Sequence, residues 1–575
     1  MTLFLDHQQT MAVSHPGHLL LSACPGSGKT RVLSSRAARL LSDSRGRLVA
    51  VTFTRDSAGE LRRRIVETCQ VSPGRRLLTG TFHSLCLNQF SRAKMKVRVL
   101  SGGEQHTVLR RAWEKTPVAQ ILTFDEAQKG VETIKSSLDP PPAPDSPLGA
   151  MYRAYQESLA LMGVFDFPDL LRESVRLMHS GDLRPLPADW MLVDEAQDMD
   201  EVQYAWIQCH ADAGMQVTIV GDDDQSIYGW RWALGYDGMM RFRRDLGAEH
   251  LQLSTNYRCA PNIIQAAANM IASNKARVDK AIRPFKREQG RVELFKAADR
   301  IAESQMIFSA IREDPSERWA VLARTNRLLD LVELGLCAGE IPCRRVGGRK
   351  FWDAPEPAVF LALVRSLSKG DGVGELLALH WAGIPQSFLD AIPTGCGWQA
   401  AAAHLKGAEE ALGKPGRKQV ATLIQRRAEW VEAMRLGRVR LAISGIAGWL
   451  RSQEKDARKA TIFTWCEEAL NKMSGGVEQR IFSLTQNSRK EKDQADGVNV
   501  VLMTVHNSKG LEFPNVWIIA AEEGILPHSD SAVEEERRLM YVGMTRAERR
   551  LVLSHTTTDA KPSRFLSEAG LQPKF

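Results

Sequence analysis

The sequence has no long run of apolar residues. No window approaches the ~18 consecutive apolar residues that a membrane-spanning helix needs. The first ten residues, MTLFLDHQQT, show no cationic segment followed by an apolar one, so they do not resemble a secretory signal peptide. No repeat with a period of about 20–50 residues is visible, which argues against a solenoid. We therefore expect a chain that is neither membrane-embedded nor exported through a signal peptide.

Cysteine is sparse, and its spacing has no pattern. The nine cysteines are scattered along the chain, and no C-x-x-C pair occurs. Closely spaced cysteines are typical of zinc and redox sites, and a high cysteine density is typical of small secreted disulfide scaffolds. We therefore expect reduced thiols in a cytoplasmic protein rather than disulfides or a zinc site.

The charge is only weakly one-sided. Lys and Arg number 76 against 68 Asp and Glu, which gives a net charge of +8. Such an excess is compatible with a polyanionic partner but does not require one. Hydrophobic residues at 43% and charged residues at 25% are ordinary globular values, which argue against disorder and against a fibre. A length of 575 residues predicts about three to five domains and excludes a single small binding module.

Short apolar runs alternate with helical patterns in two parts of the chain, before residue 255 and from about residue 319 onward. Strands that alternate with helices predict parallel sheets in an α/β fold. Residues 91–187 show helical patterns around a proline-rich loop at 139–147, and residues 366–496 show helical periodicity without a strong strand signal. We expect both to be helical insertions. The apolar runs are HLLLSA, RLVAVTF, DWMLVDE, QVTIVG, WAVLA and VNVVLMT.

A phosphate-binding loop is predicted between a strand and a helix near the N-terminus. The segment is Ala23-Cys24-Pro25-Gly26-Ser27-Gly28-Lys29-Thr30, which nearly fits G-x-x-x-x-G-K-[ST] with Ala23 at the first glycine position. Glycines let backbone N–H groups approach phosphate oxygens, and the following helix offers unpaired N–H donors. In this pattern Lys29 reaches the β- and γ-phosphates and Thr30 holds Mg²⁺. The motif predicts nucleotide binding.

A second apolar run delivers two adjacent carboxylates at its end. Asp194 and Glu195 follow WMLV, and ligands bind at the carboxyl ends of strands in open α/β sheets. Asp194 is placed to hold Mg²⁺, directly or through water, and Glu195 to polarise the attacking water in phosphoryl transfer. A solvated acidic loop is the alternative, and the upstream phosphate loop disfavours it.

Further motifs follow the phosphate loop in order. They are DEAQD, GDDDQSIYGWR, NYR, TVHNSKGLEF and EEERRLMYVGMTRAE. Together these motifs resemble the UvrD/Rep/PcrA family of superfamily 1 DNA helicases. The resemblance runs from LDHQQ at residues 5–9 to PSRF at residues 562–565, and the two helical insertions match in position only.

The resemblance implies a fold of the α/β class, with two RecA-like parallel-sheet P-loop domains that form an ATP cleft, each with an inserted, mostly helical domain. Single-stranded DNA would cross both cores. The implied boundaries are residues 1–90 and 188–253 for the first core, 91–187 for its insertion, 254–365 and 497–575 for the second core, and 366–496 for its insertion.

The resemblance also implies the residues around ATP. Outside the loop they are Gln9 at the adenine edge, Arg31 over the base or sugar, Gln225 as γ-phosphate sensor, Tyr257 stacked on the base, and Glu512 at the ribose. Arg258 and Arg546 match two arginines supplied by the second core, which would neutralise charge on the γ-phosphoryl oxygens. They would act only when the cleft closes, so that ATP links the cores and hydrolysis releases them.

A motor must hold a strand without reading its sequence, and stacking on aromatic side chains supplies ~1–3 kcal/mol per base. The DNA contacts implied by the resemblance are Phe53, Thr81, His83, Tyr228, Trp230, Arg231 and, from the second core, His506. Core packing is the alternative for Phe53 and Tyr228, and a structural role is the alternative for His83. We expect Phe82 to lie in the core.

The sequence also contains two basic clusters and several departures from the family pattern. The cluster at 62–64 is as consistent with a solvated helix face as with DNA, whereas for RRVGGRK at 344–350 contact with the DNA backbone is favoured. Pro25 removes one N–H from the phosphate cradle, and we expect little loss from it. Trp232 stands where a glycine is usual, and we expect it to alter the local strand path. The chain ends nine residues after Leu566, from which we expect neither a long C-terminal tail nor a fused nuclease.

The leading hypothesis is an ATP-dependent DNA helicase that moves 3′→5′ on single-stranded DNA and unwinds duplexes and junctions with Mg-ATP. One alternative is a translocase that unwinds only with a protein partner. Others are a DNA-binding subunit with an ATP-operated switch, and an RNA helicase. The presence of Lys29, Glu195 and Gln225 disfavours the switch. The sequence leaves open the oligomeric state and the pathway, which could be repair, phage or plasmid replication, or defence.

Overall fold

A computed structural model describes residues 4–69, 72–100, 102–339, 341–347, 351–392, 397–408, 412–473, 475–481, 498–557 and 561–571. Packing divides the chain into two compact units. The first comprises Met1–Gly290, Asp530–Thr545 and Glu568–Gly570, and the second comprises Arg291–Ser529, Arg546–Ser567 and Leu571–Phe575.

The first unit contains a six-stranded sheet in which every strand pairing is parallel and the strand order is β3-β2-β4-β5-β1-β6. Its strands are β1 (Leu19–Ala23), β2 (Leu48–Thr52), β3 (Leu77–Thr81), β4 (Trp190–Val193), β5 (Gln216–Gly221) and β6 (Glu249–Leu253). A short parallel pair, β7 (Thr255–Asn256) and β8 (Arg283–Pro284), follows.

Helices cover both faces of this sheet. Leu20 and Val49 pack into one apolar core and Leu19 and Leu48 into another, because successive strand residues point to opposite faces. β1 and β2 are buried at every position, which is why their sequences are nearly continuous apolar runs. Because all strand pairings in this sheet are parallel, the carboxyl ends of the strands lie at the same edge of the sheet.

The helices of the first unit include a group that packs around a core of its own. Leu109, Val131, Met151 and Tyr155 belong to this smaller core. The helices are α1 (His7–Ser14), α2 (Lys29–Asp43), α3 (Arg55–Thr68), α4 (Phe82–Arg92), α5 (Gly102–Glu114), α6 (Phe124–Ser136), α7 (Pro147–Met162), α8 (Phe167–Ser180), α9 (Glu201–Asp212), α10 (Gly235–Leu246) and α11 (Pro261–Ile271).

The second unit contains another six-stranded sheet, again parallel throughout, with the order β11-β12-β10-β13-β14-β9. Its strands are β9 (Arg291–Ala297), β10 (Trp319–Ala323), β11 (Cys343–Val346), β12 (Val500–Thr504), β13 (Phe513–Ile518) and β14 (Ala547–Thr556). Its helices are α12 (Arg300–Glu313), α13 (Asp330–Ala338), α14 (Pro355–Lys369), α15 (Val373–Trp381), α16 (Gln386–Leu389), α17 (Gly397–Ala408), α18 (Lys414–Arg435), α19 (Val439–Gln453) and α20 (Ala457–Lys472).

Two late segments complete the helix inventory of the described chain. They are α21 (Val533–Met544), which lies in the first unit, and α22 (Arg564–Glu568). The chain positions that flank α21, in β13 and β14, belong to the second unit. In the first unit Asn274 donates to the Glu534 carbonyl at 3.0 Å, and Arg537 donates to the Asn274 side chain at 2.5 Å.

The predicted fold class is confirmed: the chain is α/β, with two six-stranded parallel sheets consistent with two RecA-like domains, plus helical regions. All six apolar runs form strands, although the second sheet starts at Arg291, earlier than the run at 319. In the described parts of 366–496 the regular elements are helices. The four domain boundaries stay a prediction. Packing groups 254–290 with the first unit, and the boundary at 496 falls outside the described residues.

Candidate active site and adjoining groove

The phosphate loop joins β1 to α2, as predicted, and two glycines make its turn possible. Gly26 has φ +63° and Gly28 has φ +80°, the left-handed region that glycine adopts without a steric penalty. Gly28 is the N-cap of α2, so Lys29 and Thr30 stand in the first turn. The first N–H groups of a helix have no partner within the helix and form a ready anion site. The loop therefore presents donors where a phosphate would lie.

The carbonyl groups of the loop are held by residues from distant parts of the chain. Asn256 Nδ2 donates to the Pro25 carbonyl at 2.6 Å, and the Tyr257 N–H donates to the Gly26 carbonyl at 2.9 Å. Gln9 Nε2 donates to the Ser27 carbonyl at 3.0 Å. These bonds hold three carbonyls of the loop, so Pro25 contributes an anchored carbonyl although it has no N–H to donate.

The two predicted carboxylates lie at the end of β4, next to the loop. Lys29 Nζ lies 3.2 Å from Glu195 Oε2, and Glu195 takes the left-handed conformation with φ +53°. Burial and the neighbouring Glu195 charge raise the pKa of Asp194 to about 7. Burial would lower the pKa of Lys29, but the charges of Glu195, Asp222 and Asp194 outweigh it and raise that pKa. A cation bound beside Asp194 would relieve this excess of negative charge.

A glutamine that the sequence reasoning missed joins the two acidic motifs. Gln197 Nε2 donates to Glu195 Oε2 at 2.6 Å, and its Oε1 accepts from the Asp222 N–H at 2.9 Å. Gln197 is fully buried. Its position inside DEAQD was the available signal, because a buried amide must satisfy both its donor and its acceptor.

The segment that contains Gln225, the predicted γ-phosphate sensor, packs around a buried lysine. Lys280 Nζ lies 2.6 Å from both Asp222 Oδ1 and Asp223 Oδ1 and 3.1 Å from Asp224 Oδ2. Gln225 Nε2 donates to Asp222 Oδ2 at 2.5 Å. The three negative charges overcome the effect of burial and raise the pKa of Lys280 well above its ordinary value. Local sequence gave no signal for Lys280, which is more than fifty residues from the motif.

The predicted base contacts cluster around the start of the chain. Tyr257 Oη donates to Asp6 Oδ2 at 2.6 Å, and burial together with Asp6 raises the pKa of Tyr257 to about 12. The Phe285 ring lies on Tyr257, with centroids 4.7 Å apart, and Phe285 is 64% exposed. Gln9, which is 1% exposed, also accepts from the Asp6 N–H at 3.1 Å. Arg31 is close enough to act electrostatically on Tyr257.

The two predicted arginines fall in different units. Arg258 belongs to the first unit, where its Nη1 donates to the Thr545 carbonyl at 3.3 Å. Arg546 belongs to the second unit, is 1% exposed, and donates from Nη1 to the Leu511 carbonyl at 3.2 Å. Glu512 is exposed in the second unit. The roles assigned to these residues stay predictions.

The predicted DNA contacts of the first unit line one groove of about 830 Å³. We call it the aromatic groove, and its walls include Phe53, Thr81, His83, Tyr228, Trp230 and Arg231. Trp230 is 51% exposed, and the Arg231 guanidinium lies 4.4 Å from its ring centroid. Burial lowers the pKa of His83. These are six of the seven predicted DNA contacts, and the seventh, His506, belongs to the second unit.

Several other expectations have outcomes among the described residues. Phe82 is 1% exposed and lies in the core, as predicted. The expectation that Trp232 alters a strand path is wrong. It follows the short 3₁₀ turn Gly229–Arg231, where it takes φ +60°. No disulfide links the eight described cysteines, and Cys396 lies outside the described residues.

Three arginines of the two basic clusters form ion pairs. Arg63 and Arg64 both pair with Glu60, which agrees with a solvated helix face. The Arg345 side chain is only 3% exposed and pairs with Asp330 and Glu333. Its guanidinium is therefore not available for the contact with the DNA backbone that was expected of this cluster. The end of that cluster, residues 348–350, lies outside the described residues.

Family models match almost the whole chain. The UvrD/REP helicase N-terminal domain matches residues 5–246, and the UvrD-like helicase C-terminal domain matches residues 251–372 and 424–558. DNA helicase II of Escherichia coli K12 is 31% identical over 98% of this chain and 87% of its own length. ATP-dependent DNA helicase PcrA of Leuconostoc citreum is 28% identical over 98% of this chain and 84% of its own. ATP-dependent DNA helicase Rep of Escherichia coli K12 is 28% identical over 96% and 92%.

Among the described helices, none is both long and apolar enough to cross a bilayer. The matched models cover both sheets, and the similar proteins align over nearly the full chain. The phosphate loop, the carboxylate pair and the lining of the aromatic groove belong to the residues that the N-terminal family model matches. The chain belongs to the UvrD/REP family of superfamily 1 DNA helicases.

Proposed function

We propose that this chain is an ATP-dependent motor that moves 3′→5′ along single-stranded DNA and unwinds duplex DNA with Mg-ATP. The observation that carries the proposal is the aromatic groove in the unit that also holds the phosphate loop. A nucleotide site alone is common to many enzymes, whereas a groove lined by an exposed Trp230 and by half-buried aromatic side chains fits a partner with stacked, planar bases.

The contacts within the loop support hydrolysis. Lys29 reaches from the helix N-terminus toward the carboxylates, and its cationic form is favoured by three nearby negative charges. Glu195 is oriented through one oxygen, Oε2, which accepts hydrogen bonds from both Gln197 Nε2 and Lys29 Nζ. A carboxylate fixed in this way can accept a proton from water or align it for attack. The rate of hydrolysis would then depend on the position in which Glu195 is held.

The residues present fit a magnesium nucleotide. Mg²⁺ prefers oxygen ligands and is held in such sites by one or two protein oxygens together with substrate phosphates. Thr30 supplies a hydroxyl and Asp194 a carboxylate, whose pKa is raised to about 7 by burial and by the neighbouring Glu195 charge. When bound, the metal neutralises charge on the phosphates. These two side chains would hold it.

The sensor segment supports a link between nucleotide and groove. Gln225 begins the stretch that runs through Tyr228 to Trp230, and its amide is tied to Asp222. A shift of Gln225 toward a γ-phosphate would be transmitted along five residues to a groove wall. Coupling of this kind needs two discrete arrangements of one segment.

The alternatives differ in output rather than in chemistry. A translocase that needs a protein partner would hydrolyse ATP on single strands without separating a duplex. A switch subunit would bind ATP without turnover, which the presence of Lys29, Glu195 and Gln225 disfavours. An RNA helicase would prefer RNA strands. Cytoplasmic location and a role in repair, replication or defence accompany the proposal as expectations.

One experiment separates these outcomes. Duplexes with a 3′ tail, a 5′ tail or blunt ends are incubated with the full chain, with and without Mg-ATP, and ATP turnover is measured in parallel. The proposal expects strand separation only with the 3′-tailed duplex and ATP. Lys29→Ala serves as the control, and it should lose turnover while still binding single strands. Turnover without strand separation would favour the translocase, and separation from the 5′ tail would refute the polarity.

A further inference from the structure

Trp232 holds a backbone conformation that a tryptophan rarely adopts. Its φ is +60° and its ψ is +25°, in the left-handed region. Side chains other than glycine, asparagine and aspartate are uncommon there, because the Cβ atom crowds the following carbonyl. Backbone outliers of this kind concentrate at binding sites, so an observed one is a reason to ask what the residue does.

The turn around Trp232 is firmly built. The Arg231 N–H donates to the Tyr228 carbonyl at 2.8 Å, and the Trp232 N–H donates to the Gly229 carbonyl at 2.9 Å. The Leu234 N–H then donates to the Met199 carbonyl at 2.7 Å. These bonds fix the directions in which the side chains of this turn leave the backbone. The half-buried Trp232 side chain lines the aromatic groove beside Trp230.

The charge of the groove does not explain how it would hold a polyanion. Its lining contains three cationic side chains and four carboxylates. One of the cations, Lys135, is 2% exposed and is paired with Asp166 at 2.7 Å and Asp169 at 2.6 Å, so it is unavailable to a phosphate. Because the carboxylates outnumber the cations in this lining, a nucleic acid bound here would gain most of its affinity from the faces of its bases.

We propose that Trp232 is a further stacking platform for an unpaired base of single-stranded DNA, in addition to Trp230. The proposal rests on the proposed function, since it assigns a residue to that same groove. The strained backbone is retained because it directs an indole into the groove, and the indole supplies contact area that the charges cannot. Trp232 is a binding residue and takes no part in hydrolysis.

The test measures affinity for a fluorescein-labelled oligo-dT strand by anisotropy, with the full chain and without nucleotide. Trp232→Gly and Trp232→Ala should each weaken binding roughly five- to tenfold, the lower part of the range for a lost stack. Trp232→Phe should stay within about twofold of the wild type, because it keeps a ring. Trp230→Ala is the positive control. Tyr236→Ala is the matched negative control, since Tyr236 is a half-buried aromatic that lines a different cavity.

Two further readouts separate stacking from a purely structural role. The slope of affinity against salt should be unchanged in the Trp232 variants, because stacking releases no counterions, whereas Arg231→Ala should reduce it. Trp232→Gly should melt above Trp232→Ala, because glycine relieves the left-handed strain, yet both should bind DNA equally weakly. If both small variants prove unstable, Trp232→Leu replaces them, and it must weaken binding while Phe does not.

The outcomes distinguish this inference from the function beneath it. Wild-type affinity in Trp232→Gly and Trp232→Ala, together with weak binding by Trp230→Ala, would overturn the role of Trp232 and leave the proposed function standing. Equal loss with Phe, Ala and Gly would show that the turn, and not the ring, matters, and would also overturn it. Failure of the wild type to bind single strands would refute both.

Discussion

Replacing Gly26 with alanine should damage the phosphate loop through a collision that the neighbouring residues cannot relieve. A Cβ atom at Gly26 would lie 2.5 Å from Arg258 Cβ and 3.1 Å from the Arg258 backbone nitrogen. Carbon atoms in contact sit about 3.5–4.0 Å apart, so a displacement of about 1 Å is needed. The Arg258 Cβ is fixed to its backbone, and rotation of the side chain cannot move it.

The cost has two parts. The left-handed φ of +63° costs an alanine about 1–2 kcal/mol relative to glycine. Forcing an extra methyl group into a packed site adds about 1–3 kcal/mol. The segment that holds Arg258 also anchors the Pro25 and Gly26 carbonyls at 2.6 and 2.9 Å, so the loop cannot move without breaking these bonds. We expect a total loss of about 2–5 kcal/mol in the free energy of unfolding.

Gly74→Ala separates the cost of backbone strain from the cost of the collision. Gly74 has φ +55°, and a Cβ there would meet no atom within 4 Å, so this variant suffers the backbone strain alone. Urea denaturation should show Gly26→Ala less stable than Gly74→Ala by about 1–3 kcal/mol. Titration with ATP should show at least tenfold weaker binding for Gly26→Ala only. Equal stability of the two variants, with unchanged ATP affinity, would refute the reasoning.

Three other changes have expected outcomes. Glu195→Gln should bind ATP but slow turnover by about 10²–10⁴, measured by phosphate release; retained turnover would remove Glu195 from the mechanism. Lys280→Met should lower the free energy of unfolding by about 3–5 kcal/mol, because it removes the cation that pairs with the buried Asp222 and Asp223 and leaves only Asp224 paired, with Arg277. The exposed Lys275→Met should cause no such loss. Burial lowers the pKa of His210 to about 4, so the unfolded chain binds more protons between pH 6.5 and 4 and stability falls as pH drops through that window. His210→Gln should flatten this loss by about 3 kcal/mol in urea titrations, and an unchanged pH profile would contradict the assignment.

The fold could be read from the sequence because its strands are buried on both faces. A parallel sheet under two helical layers requires continuous apolar runs such as LLLSA and VVLMT, and such runs are visible without any knowledge of contacts. Strands with charged or polar residues were harder to recognise. β6, with the sequence EHLQL, and β9, with RVELFKA, lie at the edges of their sheets. These edge strands are partly exposed to water, so polar and charged side chains there remain hydrated.

The site was predictable wherever its chemistry sits in one short segment. The phosphate loop and the Asp194-Glu195 pair are local patterns, and the structure places them side by side. Lys280 and the burial of Arg345 were not predictable, since each depends on carboxylates elsewhere in the chain. Trp232 was noticed as a departure, but its left-handed conformation is a property of the turn that only coordinates reveal.

The position of α21 in the chain has a consequence for synthesis. This helix belongs to the first unit, where it packs on α11, and Tyr541 within it is fully buried. Nascent chains usually fold domain by domain from the N-terminus as they leave the ribosome. Here the unit that carries the phosphate loop cannot bury its last helix until residue 544 has emerged. The first unit is therefore the first to begin folding, but it cannot complete its core until nearly the whole chain has been synthesised. A fragment that stops at residue 290 would lack part of the core of this unit.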